Sequence, residues 1–173
     1  MEIQLILGPN NSGKSKYAEE VAVAGGDKLI YLATMIPRNE DNRKRIEKHR
    51  IQRLNKGFQT IEAGWNIGEI QVEPDTVVLL EDASNLVANG MFMHGADAEV
   101  ALQDILTLAG RCKKLIVVSI GGLVAEGYDE ETSYYIGQLN WLNRRLQEEA
   151  NVVTEMSVDA EDMTCCSPIR KEN

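Results

Sequence analysis

Eight residues near the start of the chain, Gly8-Pro9-Asn10-Asn11-Ser12-Gly13-Lys14-Ser15, restrict its folding more than any other stretch. They match G-x-x-x-x-G-K-[ST] in full and stand between an apolar run, Ile3–Leu7, and a helix candidate, Lys14–Ala24. A strand, a glycine-bearing turn and a helix in that order make a phosphate loop. Glycines let the backbone curl until successive N–H groups converge on phosphate oxygens. Lys14 supplies a point charge for the β and γ phosphates, and the Ser15 hydroxyl completes a Mg²⁺ shell. The helix adds the positive end of its dipole. The pattern predicts binding of a nucleoside triphosphate with Mg²⁺ across Gly8–Ser15. Such a loop needs an acid at the end of a neighbouring strand. Thr76–Leu80 is followed by Glu81-Asp82. Glu81 comes directly after the strand and is the expected metal residue beside Ser15; Asp82 is the reserve, and helix capping is the other role open to both.

The rest of the chain repeats this alternation. Leu29–Ala33, Thr76–Leu80, Leu115–Ser119 and Asn151–Met156 join Ile3–Leu7 as strands, and Phe58–Glu62 reads as a weaker edge strand. Nearly continuous apolar character marks strands buried on both faces of a parallel sheet. Helices are expected at Lys14–Ala24, Glu40–Leu54, Ser84–Phe92, Ala98–Ala109 and Glu130–Ala150. In the last, Tyr135, Leu139, Leu142, Leu146 and Ala150 form one apolar stripe at spacings of three and four. The fold class is α/β: a single P-loop domain over residues 1–173, with a mainly parallel sheet flanked by helices. The polar tail from about Glu161 is expected to be loosely held.

With 43% hydrophobic and 26% charged residues the composition is that of a globular protein. A net charge of −9 argues against a general nucleic-acid surface or an anionic-membrane surface. No apolar run approaches the roughly 18 residues of a membrane span, and the N-terminus is expected to enter a strand directly rather than a signal peptide. Cys112, Cys165 and Cys166 make neither a zinc pattern nor a disulfide framework and read as reduced thiols. The expected location is the cytoplasm.

Positive charge is concentrated in one place. Arg38, Arg43, Lys44, Arg45, Lys48, Arg50, Arg53 and Lys56 are eight of the 18 cationic residues, offset only by Glu40, Asp41 and Glu47. Ile46, Ile51 and Leu54 are the strong apolar residues there, too few for a deeply buried helix. On a helix Arg45, His49 and Arg53 share a face. Guanidiniums on either side disfavour the imidazole proton, so His49 is expected to be neutral and nucleophilic. The same guanidiniums could hold the phosphates it attacks. A solvated basic helix with an incidental histidine is the alternative. His94, in a Met-rich loop, has no such setting and reads as structural.

Together these stretches resemble the adenosylcobinamide kinase / adenosylcobinamide-phosphate guanylyltransferase family. The resemblance is carried by Leu5–Gly8 through Gly13-Lys14-Ser15 with Ala18-Glu19, and by Tyr31-Leu32-Ala33-Thr34. It continues through Arg45–Arg50 with Arg53, Thr60-Ile61-Glu62, Leu79-Leu80-Glu81 with Val87 and Asn89, and Leu142–Leu146. Y-x-A-T followed by R-I-x-x-H-R-x-x-R is its most particular part. The resemblance implies a RecA-like domain assembling as a homotrimer. It implies phosphorylation of adenosylcobinamide at its aminopropanol hydroxyl, then transfer of GMP from GTP through a histidine that matches His49. It also implies that the nucleotide, GTP or ATP, contacts the phosphate loop, Ala33, Thr34, Met35, Arg50, Ile51, Gln52, Arg53, Glu62 and Glu81.

The second half departs from that family. Ser119–Gly127 replaces N-E-V-G-x-G-x-V-P, Tyr135–Asn140 replaces F-R-D-x-x-G, and Ser157–Asp162 stands where V-S-G is usual. Two further readings therefore stay open: a non-catalytic nucleotide-binding homologue acting through a partner, and a P-loop kinase of another small-molecule alcohol. No N-K-x-D motif reads guanine.

Overall fold

The computed structural model describes residues 1–37, 39–158 and 166–170. Its seven strands are β1 (Ile3–Gly8), β2 (Leu29–Ala33), β3 (Phe58–Glu62), β4 (Val77–Glu81), β5 (Lys114–Ile120), β6 (Val152–Met156) and β7 (Cys166–Arg170). They form one sheet in the order β3-β2-β4-β5-β1-β6-β7. The first six run parallel, and β7 is antiparallel to β6. Five α-helices connect them: α1 (Lys14–Gly25), α2 (Glu40–Arg53), α3 (Ala83–Asn89), α4 (Ala98–Ala109) and α5 (Glu130–Glu149).

The apolar strand runs are explained by burial on both faces. Ile3, Leu5 and Leu7 of β1, Val78 and Leu80 of β4, and Leu115 and Val117 of β5 pack in one core with residues of α3, α4 and α5. The alternate residues Ile6, Val77, Leu79, Ile116 and Val118 pack with Ala18 and Ala22 of α1 in the other. In α5 the stripe lies as its spacing requires, with Leu139, Leu142, Leu146 and Ala150 buried and Tyr135 packed at the margin. Phe58–Glu62 is an edge strand.

Three differences have local causes. The helix expected over Ser84–Phe92 ends at Asn89 and runs into a π-helical turn, Gly90–His94. Gly90 is needed there, because a Cβ would stand 2.8 Å from the Trp65 ring. Glu81 belongs to β4, paired with Ala33 and Val118, where the apolar pattern stops one residue short. Finally, Cys166–Arg170 forms β7 inside the tail expected to be loose, a polar-flanked strand on an edge that no sequence period announces. The tail's other residues from 161 onward, Cys165 among them, lie outside the described residues, as does Arg38 of the basic segment. Cys112 is buried with a free thiol. Among the described residues no helix is long and apolar enough to cross a membrane.

Candidate active site

Asn and Asp side chains cap four helices: Asn39 on α2, Asp82 on α3, Asp97 on α4 and Asp129 on α5, each accepting a backbone N–H of the first turn. Helix α1 differs. Its N-cap is Gly13, left-handed at φ 79° and without a side chain to offer. The first N–H groups of α1 are thus left for an outside acceptor, the arrangement that suits an anion. Asn11 is also left-handed, at φ 61°, so the loop is curled at two points. Gly8 allows the close approach that starts the loop: a Cβ there would lie 2.6 Å from Ser12 Oγ and 3.0 Å from the Met156 carbonyl.

Over this loop opens a cavity of about 390 Å³. Asn10 to Lys16 line one wall, and Tyr31, Ala33 and Met35 line the floor at the carboxyl end of β2. Helix α2 presents Arg45, Ile46, Lys48, His49, Gln52 and Arg53, while Glu81, Asp82 and Asn85 close the side nearest β4. Loop, histidine, arginines and acid therefore share one space. The crevice lies outside the carboxyl ends of the strands, where ligands of open α/β sheets bind.

Ser15 Oγ donates to Glu81 Oε1 at 2.6 Å, although β5 lies in the sheet between β4 and β1, the strand that leads into the loop before Ser15. Glu81 Oε2 is buried with no hydrogen-bond partner. Burial, and then the neighbouring Asp82 charge, push the Glu81 carboxyl up to about 8. A buried carboxylate oxygen left unpaired is costly unless a cation or proton meets it. Ser15 and Glu81 thus fit Mg²⁺, a hard ion that takes a hydroxyl, a carboxylate and phosphate oxygens and keeps several waters. No cluster of three or more metal-ligating side chains occurs among the described residues, so the remaining ligands would come from phosphate and water. Lys14 Nζ donates to the Pro9 carbonyl at 2.9 Å. Burial pulls its pKa down against the opposing charges of Glu81 and Asp82.

The two acids differ in occupation. Asp82 Oδ1 accepts from the Asn85 N–H at 2.7 Å and from the Ser84 hydroxyl, so it is engaged as the cap of α3. Thr34, fully buried, holds the end of β4: its Oγ1 lies 3.0 Å from the Glu81 carbonyl and 2.8 Å from that of Asp82, and accepts the Asp82 N–H at 2.7 Å. Asn89 Nδ2 in turn donates to the Thr34 carbonyl at 2.9 Å and to that of Gly64 at 3.1 Å.

On α2, His49 Nδ1 is buried without a partner. Its pKa is lowered first by burial and next by Arg53, with smaller contributions from Arg45 and Lys48 against the opposing charge of Glu19. Arg53 is buried, its guanidinium carbon 3.4 Å from the centroid of the Tyr31 ring. That stacking is a cation–π contact.

Of the remaining expected residues, Gly8 and Pro9 line a second cavity of about 670 Å³ behind the loop. Thr34 supports the site from beneath. Arg50 and Ile51 point to solvent, with Arg50 4.0 Å from Glu47. Glu62 stands in register with Ala33 at the edge of the sheet but is exposed and absent from the cavity wall. His94 stacks on Trp65 with centroids 4.5 Å apart, away from the cavity. Sequence reasoning missed Tyr31, Asn85 and Lys16 as lining residues; Tyr31 opens the Y-x-A-T stretch that carries the family resemblance, but its place in an apolar strand run gave it no site role.

The family described as cobinamide kinase / cobinamide phosphate guanyltransferase matches residues 4–158. The bifunctional adenosylcobalamin biosynthesis protein CobU of Escherichia coli (strain K12) is 32% identical over 98 residues, 55% of this chain and 53% of that protein. The match thus spans about half the length of that relative. Among solved structures, the ATPase domain of another protein superposes with a TM-score of 0.51 at 9% identity, over 89% of this chain and 68% of that one. That likeness is one of fold, a RecA-like P-loop NTPase domain.

Proposed function

The chain belongs to the cobinamide kinase / cobinamide phosphate guanyltransferase family, and from that premise we propose that it is a bifunctional enzyme of cobalamin assembly. It phosphorylates the aminopropanol hydroxyl of adenosylcobinamide with GTP or ATP, then transfers GMP from GTP to the resulting phosphate through His49. The observation that carries this reading is that His49, flanked by Arg45 and Arg53, lines the same cavity as the phosphate loop. Ser15 and Glu81 would hold Mg²⁺, which supplies neutralisation of phosphate charge.

In the transfer half, His49 Nε2 attacks the α phosphorus of GTP. A phosphorus–nitrogen bond forms, the bond to the β-phosphate oxygen breaks, and pyrophosphate leaves with the electron pair. A phosphate oxygen of the acceptor then attacks the same phosphorus, and the nitrogen recovers its lone pair. Two displacements let one site serve nucleophile and acceptor in turn. Lys14 and the α2 arginines offset the negative charge that grows on the transferring group. With Nδ1 buried, Nε2 is the nitrogen left for the cavity. The nucleotide contacts assigned to Gly8–Ser15, Ala33–Met35, Gln52, Arg53 and Glu81 belong to this reading, as do a homotrimeric assembly and a cytoplasmic location; Arg50, Ile51 and Glu62, exposed outside the cavity wall, would meet the nucleotide only where it extends past the cleft.

One observation favours a second reading. The stretches that depart from the family pattern supply Gly121, Gly122 and Asn140 to the second cavity and nothing to the first. A P-loop kinase of a different alcohol would keep the first and alter the second.

Incubation with Mg²⁺ and GTP followed by intact-mass measurement tests the proposal. We expect GMP on His49, stable to mild base and released by acid. His49→Ala should abolish the adduct and leave the kinase step, whereas His94→Ala should change neither. If GTP demonstrably binds and no adduct forms, the guanylyltransferase half fails and the simpler kinase or a non-catalytic homologue leads.

A further inference from the structure

Helix α2 carries His49 but has little apolar surface to hold it in place. Ile51 and Leu54 are 60% and 73% exposed, and Ile46 faces the cavity. Its inward face is polar instead. His49, Gln52, Arg53 and Lys56 follow one another at i, i+3, i+4 and i+7, and the Lys56 N–H donates to the Arg53 carbonyl, so the turn continues past the helix end. Opposite that face stands one carboxylate, Glu19 of α1, with no solvent exposure.

Glu19 Oε2 accepts from Gln52 Nε2 at 3.2 Å and from Lys56 Nζ. Glu19 Oε1 is buried without a partner, and so are His49 Nδ1 and Arg53 Nε and Nη1 on the facing helix. The charge of Glu19 acts on His49. One acceptor thus lies unsatisfied near complementary groups. Arg53 stacks its guanidinium face on Tyr31, a contact that fixes its plane but leaves its in-plane N–H groups unpaired. A carboxylate buried at this depth is costly unless donors meet it, so its other oxygen calls for one.

We propose that Glu19 is the positioning residue of the nucleophile: it anchors α2 through Gln52 and Lys56 on one oxygen and accepts a hydrogen bond from the Nδ1–H of His49 on the other. Fixing that proton on Nδ1 leaves the Nε2 lone pair free toward the cavity, which is how a second group sets an imidazole's tautomer. The proposal deepens the reading of His49 as nucleophile and rests on it for its catalytic meaning, though the tautomer itself is measurable without it.

The test uses the full chain labelled with ¹⁵N-histidine, at a pH above the imidazole range. There are two histidines, and His94→Ala identifies the His49 signals. We expect the Nδ1–H tautomer in the parent protein. In Glu19→Gln the single amide oxygen is drawn to Lys56, the NH₂ faces His49, and the tautomer should switch to Nε2–H; Glu19→Asp should restore Nδ1–H at least in part. GTP affinity should stay within about threefold, while the rate of adduct formation in Glu19→Gln falls by about 100-fold or more, as wrong-tautomer variants of other histidine sites do. An unchanged tautomer in Glu19→Gln, or an unchanged adduct rate, overturns the proposal. A parent protein that forms no adduct but shows the tautomer switch would defeat the nucleophile reading alone.

Discussion

Lys14 and Glu81 sit in conflict until something charged arrives between them. Burial works against the ammonium and the carboxylate alike, and only part of that cost is recovered from their mutual attraction. A triphosphate with Mg²⁺ resolves both at once. Lys14→Ala should therefore weaken GTP binding by at least about 100-fold by calorimetry, with the thermal midpoint little changed, because Lys14 lines the cavity and does not pack in either core. Glu81 makes a prediction in pH. With its pKa near 8 it is mostly protonated at pH 7 in the free protein, and an arriving divalent ion must displace that proton. Binding of Mg²⁺–nucleotide at pH 7 should release about one proton, measured across buffers of different ionisation enthalpy. The release should vanish above about pH 9, where the carboxyl is already ionised, and should be absent in Glu81→Gln at any pH. The same variant should lose Mg²⁺-dependent turnover far more than affinity, since the carboxylate matters most as charge develops. Should Asp82→Asn show that pattern in place of Glu81→Gln, the metal acid has been misassigned.

Among the elements, α5 and α2 are held by opposite means. The α5 stripe is buried from Leu139 to Ala150. Polar bonds then lock the helix to the end of β5: Ser119 Oγ donates to Asn143 Oδ1 at 2.7 Å, and Asn143 Nδ2 donates to the Ile120 carbonyl at 2.9 Å. Leu142→Ala should cost about 2–5 kcal/mol in urea unfolding, the range for emptying a leucine site in a tight core. Asn143→Ala should cost about 1–3 kcal/mol by stranding the buried Ser119 hydroxyl and releasing the half-buried Ile120 carbonyl. Helix α2 has no comparable apolar stripe and depends on ion pairing and on the Arg53–Tyr31 stack. Tyr31→Leu should therefore cost about 1–3 kcal/mol in urea unfolding, because a large buried side chain is cut back and the Arg53 stack is lost. It should also reduce adduct formation, because Arg53 loses the ring that fixes its plane.

The whole molecule is acidic, yet Arg45, Lys48 and Arg53 face the cavity with Lys14 and Lys16. An anionic ligand meets the repulsion of a net charge of −9 and, at the cleft, a local concentration of cations that attracts it. Association with GTP should slow steeply as NaCl rises from about 50 to 300 mM, over which the screening length falls by more than half. The dissociation rate should change much less, because the bound phosphates are shielded from salt. Stopped-flow kinetics at several ionic strengths separate the two, and an association rate indifferent to salt would count against steering by α2.

Much of this was legible in the sequence. Strand runs buried on both faces identify themselves, because a residue that meets a core on either side must be apolar whichever way it points; Val77–Leu80 and Leu115–Val118 needed no partner to be recognised. The phosphate loop is likewise local, since the spacing of Gly8, Gly13, Lys14 and Ser15 is set by the backbone curl within eight residues. The even spacing of Arg45, His49 and Arg53 gave the shared face and the direction in which His49 is perturbed. Burial as the larger cause of that perturbation belongs to the fold, which presses α2 over Tyr31. Only the tertiary structure could join Ser15 to Glu81 across 66 positions, or set Glu19 beneath a helix more than 30 residues away. Their meeting depends on the order of strands in the sheet, and that order is a property of the packed whole that no window of sequence contains. The edge strand β7 escaped for a related reason: a strand with one neighbour is stabilised by the hydrogen bonds that neighbour offers, and its own residues need carry no pattern.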